Sequence, residues 1–295
     1  MKVYAYTELD VPARPVARPT TLEYTENPAE ADAFVVLVEL GDVERRHPQR
    51  VGGVLPTLAR LPTWEKHERR HVLWMHSDED APIGTQAVVF RQSVDKRRRD
   101  PNVVPWPPAV DDFGRLAGMD YEQLLYHVCF VGLDHDPLGV RRRCLDSLRA
   151  CPGLNCYLDT VNRHWGRYEG TPEGDQRRQI FIDALKQSRL VLAPRGAGQH
   201  SYRLFEAMSA GRIPVVLADD YALPMPEYVD WDACSFQVPE ARAASVAGEI
   251  MAINERCRPQ SCMREMAHRA RRAWADWLAP ARWDDMVLRY LEEML

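Results

Sequence analysis

The sequence predicts an α/β fold organised on parallel sheets, and three observations carry that prediction. Residues 190–218 follow a strand, loop, helix, strand pattern. The apolar run Leu190, Val191, Leu192 and Ala193 is followed by a loop with Gly196 and Gly198, a helical stretch at 202–210, and Val215, Val216, Leu217 and Ala218. Two strands joined by a crossover helix run parallel. Further apolar runs at 33–40, 71–75, 88–90 and 127–131 have the length, and lack the alternation, of strands buried on both faces. Pro101, Pro105, Pro107 and Pro108 around Trp106 mark 101–112 as a linker between two halves.

Residues 3–7 alternate weakly and predict the first strand, and Pro12, Pro15 and Pro19 make 11–20 a surface loop. A short turn or helix at 28–32 leads into the strand at 33–40, which ends at Glu39 and Gly41. Residues 44–50 read as a polar, mobile segment, 54–60 as a helix and 62–64 as a turn. The strand at 71–75 delivers His76, Ser77, Asp78, Glu79 and Asp80 to a loop. Strand ends of this kind face the ligand in α/β folds, so Glu39, His76 and Asp78 are candidate contacts. After the strand at 88–90, the run Asp95, Lys96, Arg97, Arg98, Arg99 is a solvated loop or a clamp on an anionic acceptor.

In the second half, a helical stretch at 121–125 precedes the strand at 127–131, with Gly132 opening its loop. A helix at 138–150 carries Arg141, Arg142 and Arg143 near its start, where positive charge opposes the dipole and is relieved by an anion or by solvent. A strand at 155–158, a polar loop at 159–175 and a helix at 179–187 lead to the central unit. Gly211 stops the helix of that unit in a left-handed conformation, and a turn at 221–226, a strand at 235–238 and a helix at 244–253 follow it. Trp283, Met286, Val287, Tyr290, Leu291 and Met294 recur at helical spacing and form a core-packing stripe.

The central loop suits an anion. Gly196 and Gly198 let the backbone approach a ligand closely, Arg195 adds a full charge, and the helix that follows offers free N–H groups. Ser201 is expected to cap that helix with its hydroxyl. Arg203 and Glu206 lie three apart on one face, where the carboxylate can receive a ribose diol or the two can form a surface ion pair. The triplets at 78–80 and 134–136 both match the D-x-D form of a metal-dependent, GT-A-type glycosyltransferase. The pattern is short, and the chain has 43 acidic residues, so chance matches are expected.

At 295 residues, 45% hydrophobic and 27% charged, the chain has the size and composition of one large or two modest domains. A net charge of −5 argues against a nucleic-acid surface. No run approaches the length of a membrane span and the start is too short and polar for a signal peptide, so a cytoplasmic location is expected. Seven cysteines without a C-x-x-C pair read as reduced thiols, with Cys151 and Cys156 nearest to a bridge.

Pro194, Arg195 and Gly196, the stretch from Ser201 through Ala207, Gly211, Pro214 to Val216, Asp219, Asp220, Leu223, Pro224, Asp230 and Trp231 together resemble the exostosin family of glycosyltransferases. Residues 27–36 and the Phe130, Val131, Gly132 strand extend the resemblance over most of the chain. It implies a GT-B-like fold of two Rossmann-like domains facing a cleft. The acceptor-side domain would span 1–112 and the nucleotide-sugar domain 113–265, with helices at 266–295 packing back on the first. It also implies an inverting transfer from a nucleotide sugar, with a UDP-sugar as the family's expectation, to a glycan or small-molecule acceptor, without a metal cofactor. Arg195, Gly196, Gly198, Ser201, Tyr202, Arg203, Glu206 and Gly132 would bind the donor. Arg195 would stabilise the leaving diphosphate, and Asp78, then His76, would be the base; the family's His–Asp pair is matched here only with Ser77 inserted. The rival to catalysis is a nucleotide-sugar-binding partner of another transferase.

Overall fold

The computed structural model describes residues 1–9, 15–16, 19–40, 54–78, 83–98, 100–118, 121–162, 170–257 and 261–294. The expected polar segment at 44–50, most of the loop at 11–20, Glu79, Asp80 and Arg99 lie outside the described residues. The chain divides into two compact units, Met1–Pro108 with Asp220–Met225 and Pro280–Leu295, and Ala109–Asp219 with Pro226–Ala279. Each is an α/β unit on its own parallel sheet.

The first unit holds β1 (Lys2–Tyr6), β2 (Glu23–Tyr24), β3 (Ala33–Glu39), β4 (His71–Met75), β5 (Val88–Arg91) and β6 (Val103–Pro105), in the order β2-β1-β3-β4-β5-β6. Two short helices, α1 (Val54–Leu58) and α2 (Trp64–His67), lie between β3 and β4. Every residue of β3, β4 and β5 is buried, as continuous apolar runs require. Val36, Val38, Leu73, Met75 and Val89 meet Val54, Leu58 and Trp64 in one core.

The proline-rich segment expected as a linker contributes β6 at its start, and the two units divide between Pro108 and Ala109, inside that segment. Proline lacks a donor, which an edge strand tolerates, and β6 is the edge of this sheet. Trp106 just beyond it is completely buried and donates its backbone N–H to Arg91 O at 2.7 Å.

His71, at the start of β4, is buried between aromatic rings, with Phe34 at 4.9 Å and Trp64 at 4.7 Å. Burial lowers its pKa from 6.5 to about 4, against the opposing backbone contacts with His67 and Glu68. The folded chain therefore takes up this proton less readily than the unfolded chain. The resulting stability is complete above pH 6.5 and is lost as the pH falls through 4, a loss of about 3 kcal/mol. His67 and His127, lowered first by burial, act in the same direction. Asp95, held at about 2 mainly by its hydrogen bond from Arg97, matters only below pH 3.8. Thermal melts between pH 7 and 4 are expected to show a falling midpoint, and His71→Phe to flatten that slope.

The second unit holds β7 (Tyr126–Leu133), β8 (Cys156–Val161), β9 (Ser188–Pro194), β10 (Ile213–Leu217) and β11 (Phe236–Gln237), in the order β11-β10-β9-β7-β8. Its helices are α3 (Val140–Arg149), α4 (Pro172–Gln187), α5 (Tyr202–Ser209), α6 (Trp231–Cys234), α7 (Val246–Arg256) and α8 (Ser261–Ala273). Alternate strand residues serve two cores. Val128, Phe130, Leu190 and Leu192 pack with Leu145, Leu148, Val246 and Ile250, and Cys129, Val131 and Val191 pack with Phe181, Leu185, Ala207 and Ala210. Helices on both faces of a parallel sheet make this unit Rossmann-like.

The chain then ends in α9 (Trp283–Met294), which belongs to the first unit. Its Trp283 and Tyr290 rings pack on Trp106 at 5.8 and 6.3 Å. All seven cysteines are free. Among the described residues no helix is long and apolar enough to cross a membrane.

Candidate functional site

In the second unit, β9 ends at Pro194, and Arg195 extends its ladder by donating its backbone N–H to Leu217 O at 2.9 Å. The loop closes where Gly196 N donates to His200 O at 3.3 Å, and α5 starts after Ser201. Arg195 is 8% exposed, with one terminal nitrogen 3.7 Å from Glu240 Oε1. Its Nε is buried without a hydrogen-bond partner among the described residues.

Two further groups brace this arginine. Glu240 is fixed to Asp219 by reciprocal backbone-to-carboxylate bonds of 3.1 and 2.9 Å. Arg141 donates from Nε to Arg195 O at 2.9 Å and approaches Leu133 O at 3.4 Å, so it ties the ends of β9 and β7 together. A Cβ on residue 196 would come within 3.1 Å of the Arg141 guanidinium, so a side chain there would push on this brace. Sequence reasoning placed Arg141 near a helix start but missed its brace role, and it missed Glu240 altogether. Glu240 carried no motif, because only the return of the chain after β11 brings it to the loop.

The Ser201 hydroxyl makes no capping bond to α5, although its backbone is extended as an N-cap requires. That correction has a consequence: the first-turn amides are not occupied by this hydroxyl, as an anion site needs. Gly211 has φ +64°, and a Cβ on it would come within 3.0 Å of Ala117 Cβ, so both the turn and the packing call for glycine.

Arg203 and Glu206 do form an ion pair, but not a surface one, since Glu206 is 6% exposed. Arg203 also donates from Nε to Val131 O at 2.7 Å and lies 4.1 Å over the Phe181 ring. The second Glu206 oxygen is 3.9 Å from Arg178. Gly132 lies inside β7 rather than opening a loop, because the ladder with β8 continues through Leu133. A Cβ there would sit 3.7 Å from the Arg203 guanidinium. Tyr202, at the first turn of α5, is exposed, with its ring 5.5 Å from that of His200. Gly198 is buried in the loop.

The 134–136 triplet is committed elsewhere. Asp136 accepts from the N–H groups of Leu138, Val140 and Arg141 at 2.9, 3.1 and 2.7 Å, and this is the anion that relieves the arginine-rich start of α3. Asp134 pairs with His135 and Arg142. Of the 78–80 triplet, only Asp78 is among the described residues.

In the first unit, Glu39 and His76 come together. Glu39 is 3% exposed; its Oε1 accepts from His76 N at 2.8 Å and its Oε2 lies 2.7 Å from His76 Nδ1. The β3–β4 register shifts between Val35 and Glu39, which sets Glu39 opposite Trp74, two residues before His76. Asp78 is exposed. The basic run is not wholly solvated: Asp95 is buried, bridges antiparallel to Tyr221, and binds Arg97, which also reaches Asp220 at 3.2 Å.

Known proteins share much of this sequence pattern. The Exostosin GT47 domain model matches residues 15–253. The chain is 33% identical over 79 residues to the Exostosin-1 homolog of Caenorhabditis elegans, covering 27% of this chain and 21% of that protein. It is 22% identical over 257 residues to Exostosin-1b of Danio rerio, covering 79% of this chain and 34% of that protein. The chain thus spans about a third or less of the length of these curated relatives. A glycosyltransferase crystal structure from Rickettsia africae superposes with a TM-score of 0.49 at 10% identity, covering 92% of this chain and 85% of that one. With a family model matched over most of its length, on the residues that form the Arg195 loop and α5, the chain belongs to the exostosin GT47 domain family of glycosyltransferases.

Proposed function

We propose that the chain transfers a sugar from a nucleoside-diphosphate donor, with a UDP-sugar as first choice, to a hydroxyl of a glycan or small-molecule acceptor, inverting the anomeric carbon. The observation that carries this reading is the buried Arg195 guanidinium, with an Nε unpartnered among the described residues, beside the start of α5. In the reaction the acceptor oxygen bonds to the anomeric carbon as the bond to the diphosphate breaks, and the electron pair leaves with the phosphate. Charge grows on the diphosphate, and a fixed guanidinium in a site of low dielectric stabilises it.

The loop from Arg195 through Gly196 and Gly198 to Ser201, with the amides of Tyr202 and Arg203, is the proposed diphosphate cradle. Glu206 is the proposed ribose ligand. Arg203 spends Nε and one terminal nitrogen inside the protein, which supports a role in holding Glu206 rather than in gripping phosphate. Arg195 and the amides supply the positive charge in this proposal, so no metal takes part. The acceptor proton is assigned to the strand-end groups of the first unit, among which Asp78 and His76 are candidates.

The test is release of nucleoside diphosphate from a panel of UDP-glucose, UDP-N-acetylglucosamine, UDP-glucuronic acid, UDP-galactose and GDP-mannose, with and without EDTA. Release that survives EDTA is the expected result. A donor-induced rise in melting temperature with no release from any donor would instead favour a nucleotide-sugar-binding partner. Release abolished by EDTA and restored by Mn²⁺ would overturn the metal-free mechanism.

A further inference from the structure

We infer that Cys257 and Cys262 are a reversible dithiol–disulfide pair that joins the first turn of α8 to the end of α7, with a low-molecular-weight disulfide as its oxidant. The pair lies wholly in the second unit, and the inference stands apart from the transferase reading.

The fold brings the two thiols together. Cys257 closes α7, its backbone N–H donating to Ile253 O at 3.0 Å, and Cys262 is the second residue of α8. Their Sγ atoms are 3.5 Å apart. Both sides of this contact are anchored in one core. Cys257 is 7% exposed and belongs to the cluster that holds Ile250 and Ile253 of α7 together with Met263 and Ala267 of α8. Met263 adjoins Cys262, so the first turn of α8 leaves the end of α7 only if that core opens. The approach of the sulfurs is therefore a product of helix packing. Disulfide sulfurs stand about 2.05 Å apart, so bonding requires about 0.7 Å of displacement from each sulfur, which a small side-chain rotation supplies.

The chemistry follows from unequal exposure. All seven cysteines are among the described residues, and Cys262 is the exposed one. Cys129, Cys144 and Cys234 are buried, and burial pushes their thiols up to about 11, 12 and 12, which keeps them inert. Cys257 is pushed up to about 11, first by burial and then by its contact with Cys262, so it waits as a protonated thiol. An exposed thiol touching a buried one is the arrangement of an attacking and a resolving cysteine. Cys151 and Cys156 have the same spacing in sequence but a different setting, since the Cys151 thiol donates to Met251 Sδ at 3.7 Å.

In the first step, Cys262 loses its proton to solvent and its sulfur attacks one sulfur of the small disulfide. The oxidant's S–S bond breaks, and its other half leaves as a thiolate. In the second step, Cys257 loses its proton and its sulfur bonds to Cys262 Sγ, and the electron pair of the mixed disulfide leaves with the second small thiolate. Two protein thiols are oxidised, and one small disulfide is reduced to two thiols. Excess small thiol reverses both steps.

The test uses the whole chain in mixtures of oxidised and reduced glutathione, followed by alkylation, trypsin and mass spectrometry. Cleavage after Arg256 and Arg264 releases both cysteines in one peptide, because the Arg258–Pro259 bond resists trypsin. In the oxidised chain that peptide is expected to be lighter by two hydrogens and to take up no alkylating agent, and dithiothreitol restores both alkylation sites. Internal bridging releases two thiols per glutathione disulfide. Diluting total glutathione about tenfold at a constant ratio of its two forms is therefore expected to raise the ratio of bridged to open chain about tenfold, whereas a mixed disulfide would not respond. Cys262→Ser alters an exposed side chain and is expected to leave Cys257 reduced, and Cys257→Ser to stop at glutathione bound to Cys262. Three results would overturn the inference: glutathione retained on Cys262 of the unaltered chain beside a free Cys257, a bridge that maps to Cys151 and Cys156, or a Cys262 that stays reduced throughout.

Discussion

Arg195→Ala is expected to reduce turnover by about 10²–10³-fold and to weaken UDP binding measured by titration calorimetry. The size follows from where the guanidinium sits. Arg195 is 8% exposed, so its charge acts through little water, and its position is set before any ligand arrives by Glu240 at 3.7 Å. The fold of the loop does not depend on this side chain. The bonds that shape it run from the Arg195 backbone N–H to Leu217 O and from Arg141 to the Arg195 carbonyl, and both survive truncation at Cβ. The loss should therefore appear in ligand binding and turnover and not in the melting temperature of the free protein. Arg195→Lys retains a point charge but not the planar fork, and recovers only part of the effect. UDP bound by Arg195→Ala as tightly as by the unaltered chain would remove the guanidinium from the donor site.

The parallel sheets were legible because buried strands leave a direct trace in hydrophobicity. The run at 33–40 and the strands around the Arg195 loop appear nearly where the apolar residues put them. Less legible were features decided by neighbours distant in sequence. The prolines at 101–108 argue locally for a linker, yet an edge position removes the objection to a strand, and edge status is a property of the whole sheet. Gly132 looked like a loop residue, but six successive pairs with β8 carry the strand past it.

The site divides along the same line. Arg195, Gly196 and Glu206 stand in one contiguous motif. Glu240 reaches Arg195 from 45 residues away, and Glu39 meets His76 only because the register of β3 shifts near its end. Ser201 shows the limit of a local rule: the residue type and backbone suit an N-cap, but its hydroxyl does not perform that task. Arg203 shows another, since its spacing to Glu206 is that of a surface pair and only the packing of Phe181 and β7 makes it an internal one.

Trp106→Ala is expected to cost about 3–5 kcal/mol of stability, read as a lower urea midpoint. The indole is completely buried, with Phe90 at 4.6 Å, Trp283 at 5.8 Å and Tyr290 at 6.3 Å. Phe90 comes from β5, whereas Trp283 and Tyr290 come from α9, so this one ring joins the sheet to a helix nearly 180 residues later in the chain. Against a typical total of about 5–15 kcal/mol, that loss is a large fraction of the stability. Truncation leaves a cavity that the surrounding rings cannot close without moving α9, so amide exchange should speed up most in residues 283–294. Trp106→Phe separates packing from polarity. Among the described residues the Trp106 Nε1 is buried without a hydrogen-bond partner, so phenylalanine removes an unsatisfied donor while losing only part of the ring. That variant should therefore be destabilised far less than the alanine variant. Equal losses in the two would mean that the indole contributes through its Nε1 rather than through its contacts with the three rings.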